Sequence, residues 1–204
     1  MADHADDLHA EQTEGFKVGE KKTIDEYQKL DQNDESLQKW KASLGLGQGK
    51  DISDPNDPRK CIILSLGLEV EGRDDIIIDL RAPGALEQLE KKPFTIKEGA
   101  SFRMKAQFKV QHEILAGLKY LQKVTRMGAS AKLQEMMVPI LTRLGSYGPN
   151  TEEKPFYEKK FEPETAPSGM LGRGHYTALS KFVDDDNQVH LQFKWSFDIK
   201  KDWS

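Results

Sequence analysis

The sequence predicts an all-β fold: an immunoglobulin-like β-sandwich preceded by a flexible, partly helical N-terminal regulatory arm. Three observations predict it. Apolar and polar residues alternate with a period of two along several segments, turn-forming residues separate those segments, and charge divides the chain into an acidic arm and a mildly basic body. The alternation reflects extended geometry, in which successive side chains point to opposite faces of a sheet.

The body carries the strands. Phe102, Met104, Ala106, Phe108 and Val110 alternate with Arg103, Lys105, Gln107, Lys109 and Gln111. Val189, Leu191, Phe193, Trp195, Phe197 and Ile199 alternate with His190, Gln192, Lys194, Ser196, Asp198 and Lys200, which places His190 on an outward face. Such alternation marks half-buried antiparallel strands. Cys61–Val70, Ile76–Leu80, Phe94–Lys97, Ala116–Val124, Phe156–Phe161 and Gly174–Val183 are further strand candidates. Glu71–Asp75, Lys97–Gly99, Tyr147–Pro149 and Asp184–Asn187 supply the turns. Short strands with regular turns imply a sandwich. Ala129–Leu144, with two methionines and Pro139, is read as a long, partly helical loop.

Residues 1–58 hold 14 acidic and 7 basic side chains, and residues 59–204 hold 20 and 23. Three segments follow: 1–22 a disordered acidic tail, 23–58 a helical-hairpin arm and linker, and 59–204 the sandwich. The tail has too few large apolar side chains to offset the entropy of ordering. Thr23-Ile-Asp-Glu26 reads as a capping box, followed by Tyr27 and Leu30 at helical spacing. Asp34–Lys41 reads as a second short helix, with acids at its start, lysines at its end, and Leu37, Trp40 and Leu44 on one face. Helices this short are marginal alone. The arm is therefore either a solvated tail or a segment that folds on a partner through Tyr27, Leu30, Leu37 and Trp40. Three glycines and two prolines in 45–58 mark a linker. Gly49-Lys50 lacks the preceding glycine and the following hydroxyl of a phosphate loop.

Composition excludes several functions. One cysteine, Cys61, forbids an intrachain disulfide and a cysteine zinc site, and points to a reducing, cytosolic compartment. A net charge of −4 argues against nucleic acid. No apolar run has membrane-spanning length, and the acidic N-terminus does not resemble a signal peptide. The five histidines show no metal spacing, and no nucleophile motif is present. Neither catalysis, a cofactor nor a metal is expected. Asp184–Asp186 suits a solvated turn, a calcium cluster or an acidic patch for a basic partner; it lacks the glycine and distal glutamate of an EF-hand. Gly169–Gly174 opens a strand rather than a helix, so it is not a dinucleotide fingerprint. Phe94, Phe102, Phe108, Phe182, Phe193, Trp195 and Phe197 form either an ordinary core or the lining of a gap that holds an apolar ligand.

Several motifs in order resemble one family. Leu30-Asp-Gln-Asn-Asp-Glu-Ser-Leu-Gln-Lys-Trp-Lys41, Phe94–Gly99, Glu113–Tyr120, Gly145–Pro149, Ala166–Gly174, Phe182–Asp186 and Ile199–Trp203 are similar to blocks of the Rho GDP-dissociation inhibitors. The resemblance implies a non-enzymatic cytosolic regulator. It would bind prenylated Rho-family small GTPases in the GDP form, inhibit GDP release, extract them from membranes through transient membrane-surface contact, and keep them soluble. Within it, Tyr27, Leu30, Asp34, Ser36, Leu37 and Trp40 of the arm, with Asp185 and Asp186 of the sandwich, match GTPase-binding positions. Leu68, Phe94, Phe102, Ile114, Ala178 and Trp195 match the isoprenyl pocket that takes the geranylgeranyl group. Two departures stand out. Lys132–Leu144 does not match the family pattern, and His175 and Ala178 replace residues that are often serine and isoleucine, which removes a phosphorylation site and widens the pocket. The alternative is a prenyl-binding carrier of the same sandwich type, without nucleotide selectivity.

Overall fold

The computed structural model describes residues 26, 34–44, 46, 49–126 and 140–203. The tail, Tyr27 and Leu30 lie outside the described residues, as do 127–139. In chain order the elements are α1 (Glu35–Ser43), β1 (Cys61–Val70), β2 (Ile76–Asp79), α2 (Ala85–Lys91), β3 (Phe94–Lys97), β4 (Ser101–Val110), β5 (Leu115–Arg126), β6 (Ile140–Tyr147), β7 (Tyr157–Lys160), β8 (Glu164–Thr165), β9 (Gly174–Val183) and β10 (Val189–Lys200).

The strands form two sheets. One runs β2-β1-β4-β7, with β8 also pairing β4; the other runs β3-β10-β9-β5-β6. Pairing is antiparallel except for β3 against β10. The core lies between the sheets and takes the inward half of each alternating strand: Met104, Ala106, Phe108 and Val110 of β4 are all buried. Tyr176, Ala178, Ser180 and Phe182 of β9 and Phe193, Trp195, Phe197 and Ile199 of β10 face them. Aromatic pairs knit this layer, with Tyr120 between Phe161 and Phe182 at 4.9 and 5.0 Å.

Two elements differ from the sequence expectation. The stretch expected as a partly helical loop contains strand β6 at its C-terminal end, paired with β5 from Ile140 onward. α2 was not expected. It carries the chain from β2 in one sheet to β3 in the other, and buries Leu89. Ser196 Oγ on β10 donates to the Glu90 carbonyl at 2.9 Å, satisfying one of the orphan acceptors at the helix end.

Candidate functional site

Three regions carry the residues of interest: the arm, an acidic corner, and two apolar cavities.

In the arm, Asp34 is the N-cap of α1. Its carboxylate accepts from the N–H groups of Ser36 at 2.8 Å and Leu37 at 3.2 Å. Ser36 is exposed, Leu37 half-buried and Trp40 40% exposed. Lys41 and Leu44 at the other end are buried. There the arm crosses the sandwich at Gly148, where an added Cβ would lie 2.4 Å from the Leu44 carbonyl oxygen. The following segment was expected as a linker, yet 50–57 is strapped to the sandwich. Asp51 bridges Thr151, and Ile52 N–H donates to the Asn150 carbonyl at 3.1 Å. Asp54 N–H donates to Oε1 of buried Gln111 at 3.0 Å, and His112 N–H donates to Ser53 Oγ at 2.9 Å.

The acidic corner lies at the β9–β10 turn. Asp184 is 1% exposed and accepts from His190 Nε2 at 3.0 Å, with Lys60 Nζ 3.7 Å away. His190, placed outward by alternation, therefore turns its side chain inward. A register shift between Val189 and Leu191 breaks the alternation there. Burial opposes charge on Asp184, but the bonds from His190 and the Gln188 N–H, with the Lys60 charge, outweigh it and hold the carboxyl below its usual range. Asp185 pairs with Lys119 at 2.6 Å, and Asp186 lies 3.9 Å from Lys60. Both are half-buried, so part of each reaches solvent. Among the described residues no cluster of histidine, cysteine and acidic side chains could hold a metal.

The cavities open between the sheets. The first is a narrow apolar slot of about 20 Å³, lined by Leu68, Phe94, Met104, Phe193 and Trp195, with Leu89 of α2. The second is larger, about 210 Å³, and is lined by Phe102, Val124, Tyr176, Phe197 and Glu164 among others. An aromatic row divides them: Trp195 lies 5.2 Å from Phe197, which stacks on Tyr176 at 5.1 Å. Thus Leu68, Phe94 and Trp195 share one cavity, and Phe102 lines the other. Buried Ala178 pairs with Trp195 on one side and Val124 on the other, one lining residue of each cavity. Ile114 is half-buried between β4 and β5 and is not part of either lining.

Sequence reasoning missed Ser180. It is fully buried, accepts from Trp195 Nε1 at 3.0 Å, and bonds the Tyr120 hydroxyl at 2.8 Å. It orients the ring that separates the cavities. Its signal was a single hydroxyl in the inward row Tyr176, Ala178, Ser180, Phe182. Burial pushes the Tyr120 hydroxyl well above its ordinary range. The Cys61 thiol, also buried, is pushed up to about 12.

Known proteins supply the remaining finding. The family described as RHO protein GDP dissociation inhibitor matches residues 1–202. A Rho GDP-dissociation inhibitor of Schizosaccharomyces pombe is 49% identical over 186 residues, covering 91% of this chain and 86% of its own. One from Saccharomyces cerevisiae is 43% identical over 188 residues, covering 91% and 90%. The human Rho GDP-dissociation inhibitor 1 is 39% identical over 199 residues, covering 98% and 92%. With an arm laid on a two-cavity sandwich and matches of this extent, the chain belongs to the Rho GDP-dissociation inhibitor family.

Proposed function

We propose that the chain inhibits GDP release from Rho-family small GTPases and lifts their prenylated forms from membranes, holding them soluble in the cytosol. It acts as a binding regulator and makes or breaks no covalent bond. The observation that carries the reading is the aromatic-lined apolar space between the sheets, roomier at Phe102, Val124, Tyr176 and Phe197 and narrower at Leu68, Phe94 and Trp195, in a chain of a family named for dissociation inhibition.

Magnitudes define the division of labour. A geranylgeranyl group has about twenty carbons, and burial at ~0.8 kcal/mol per CH₂ releases on the order of ten or more kcal/mol. The bilayer offers the lipid similar burial, so the cavity alone roughly breaks even. The difference must come from contacts with the GTPase itself. Asp34, Ser36, Leu37 and Trp40 on α1, with Tyr27 and Leu30 before it, grip the nucleotide-sensing surface in this reading. Asp185 and Asp186 face the GTPase body. Two linked sites raise each other's effective concentration. Preference for the GDP form requires that the arm bind that conformation more tightly, and holding it ordered slows GDP escape.

The test is Trp195→Ala. The variant, shown folded by circular dichroism, is expected to lose most extraction of a prenylated Rho-family GTPase in liposome sedimentation. Undiminished extraction would sink the cavity as the lipid site.

A further inference from the structure

The turn Pro167–Arg173 presents two large apolar side chains to solvent: Met170 is 85% exposed and Leu171 86%. Folded proteins expose single apolar residues routinely, but an adjacent pair at a fixed tip calls for a partner.

The tip is held from behind. Gly172 N–H and Arg173 N–H both donate to the Gly169 carbonyl, at 3.0 and 3.3 Å. Gly169 N–H donates to Glu98 Oε2 at 2.7 Å, and the same carboxylate takes Arg173 through two bonds of 2.9 and 2.6 Å. Arg126 reaches the Leu171 carbonyl with Nη1 and the Arg173 carbonyl with Nη2, and Tyr176 OH donates to the Gly172 carbonyl. The backbone polar groups named here are thus satisfied inside the protein, and the Met170 and Leu171 side chains project beyond them. That suits hydrocarbon, which supplies no hydrogen bonds.

Position points the same way. Ala166 and Pro167, at the root of the turn, line the second cavity, and Tyr176 belongs to both the turn's support and the cavity wall. Arg173 pairs with Glu98 and Lys97 with Asp202, while the Arg126 guanidinium bonds backbone carbonyls behind the tip, so the side chains that project furthest are apolar.

We propose that Met170 and Leu171 form a membrane-contacting tip, which dips into the bilayer interface beside the cavity mouth and guides the lipid tail from one apolar phase to the other. The inference rests on the proposed extraction function and assigns it a membrane-facing side. A contact of this kind is interfacial, and among the described residues no helix is long and apolar enough to cross a membrane.

The experiment uses the full chain. Met170→Ser/Leu171→Ser is expected to slow extraction of a prenylated GTPase from phosphatidylcholine vesicles about tenfold, the factor that partial burial of two such side chains supports. Affinity for a soluble geranylgeranylated peptide and inhibition of GDP release should stay within about twofold. In parallel, Met170→Cys carries an environment-sensitive dye, with Cys61 shielded by burial. Its emission should shift to the blue on adding the same vesicles to the chain alone. Unchanged extraction overturns the proposal. So does a dye that ignores vesicles and responds to a soluble, unprenylated GTPase, which would make the tip a protein contact. If the unmodified chain fails to bind the peptide, the cavity reading falls, while the dye response still decides the tip.

Discussion

At the residue scale, polar atoms in an apolar layer set the geometry that the apolar side chains use. Ser180 bonds both Trp195 and Tyr120, so removing its hydroxyl leaves two buried groups without that partner. Ser180→Ala is expected to lower stability by about 1–3 kcal/mol in urea denaturation, and to loosen the Trp195 ring against the cavity. An unchanged midpoint would mean that the hydroxyl carries neither ring. Asp184 behaves differently. Its folded carboxyl is held below the ordinary value, so its contribution is fully present above the unfolded pKa of about 4 and is lost as pH falls through the lower folded value. Stability should therefore fall more steeply below about pH 4 in the native chain than in Asp184→Asn, with denaturation midpoints measured from pH 7 to pH 3 as the check. Parallel curves would remove Asp184 from the acid response.

At the element scale, α1 shows how one residue can hold two roles. Asp34 faces the GTPase in the proposed function, and it also caps its own helix through Ser36 and Leu37. Two substitutions separate the roles, since asparagine caps as well as aspartate and alanine does not. Asp34→Ala should cost about 1 kcal/mol of helix stability and speed amide exchange at Ser36 and Leu37, whereas Asp34→Asn should not. Both should weaken inhibition of GDP release, because both remove the charge. If only Asp34→Ala weakens it, the residue acts through its helix and not through contact. The strands were largely legible in advance. β1, β3 and β9 fall where apolar runs and alternation placed them, because period two on a half-buried sheet is a strong local signal. α2 was invisible for a physical reason: its N-cap is Gly84, with no side-chain cap, and packing of Leu89 into the first cavity decides its state. β6 was obscured because its pairing with β5 is set by the partner strand, not by its own composition. The site was less legible than the strands. The motif residues could be matched singly, but the division of Leu68, Phe94 and Trp195 from Phe102 depends on where the Trp195, Phe197 and Tyr176 rings pack together, and no spacing reports that.

At the scale of the whole molecule, the arm and the cavities stand in a defined relation, because the connecting segment is fastened. Hydrogen bonds from 50–57 to Asn150, Gln111 and His112 fix where the arm leaves the sandwich, and Gly148 lets its backbone lie close. A fixed exit confines the arm to a smaller volume than a free linker of equal length would, and the gain from linking two sites depends on that confinement. Removing residues 1–45 is therefore expected to separate the two activities. The strap and both cavities remain, so the truncated chain should keep its affinity for a soluble geranylgeranylated peptide within about twofold. It should lose inhibition of GDP release, and it should bind GDP- and GTP-loaded prenylated GTPases alike. Overall affinity for the prenylated GTPase should fall by a factor on the order of 10² or more, as expected when one of two linked sites is lost. Calorimetry with the peptide, beside a fluorescent-GDP release assay, reads both arms of the prediction. If the truncated chain still distinguishes the nucleotide states, Asp185 and Asp186 on the sandwich would have to carry the discrimination. If peptide binding falls with the arm, the cavity would depend on the arm for its shape, and the two sites would be one.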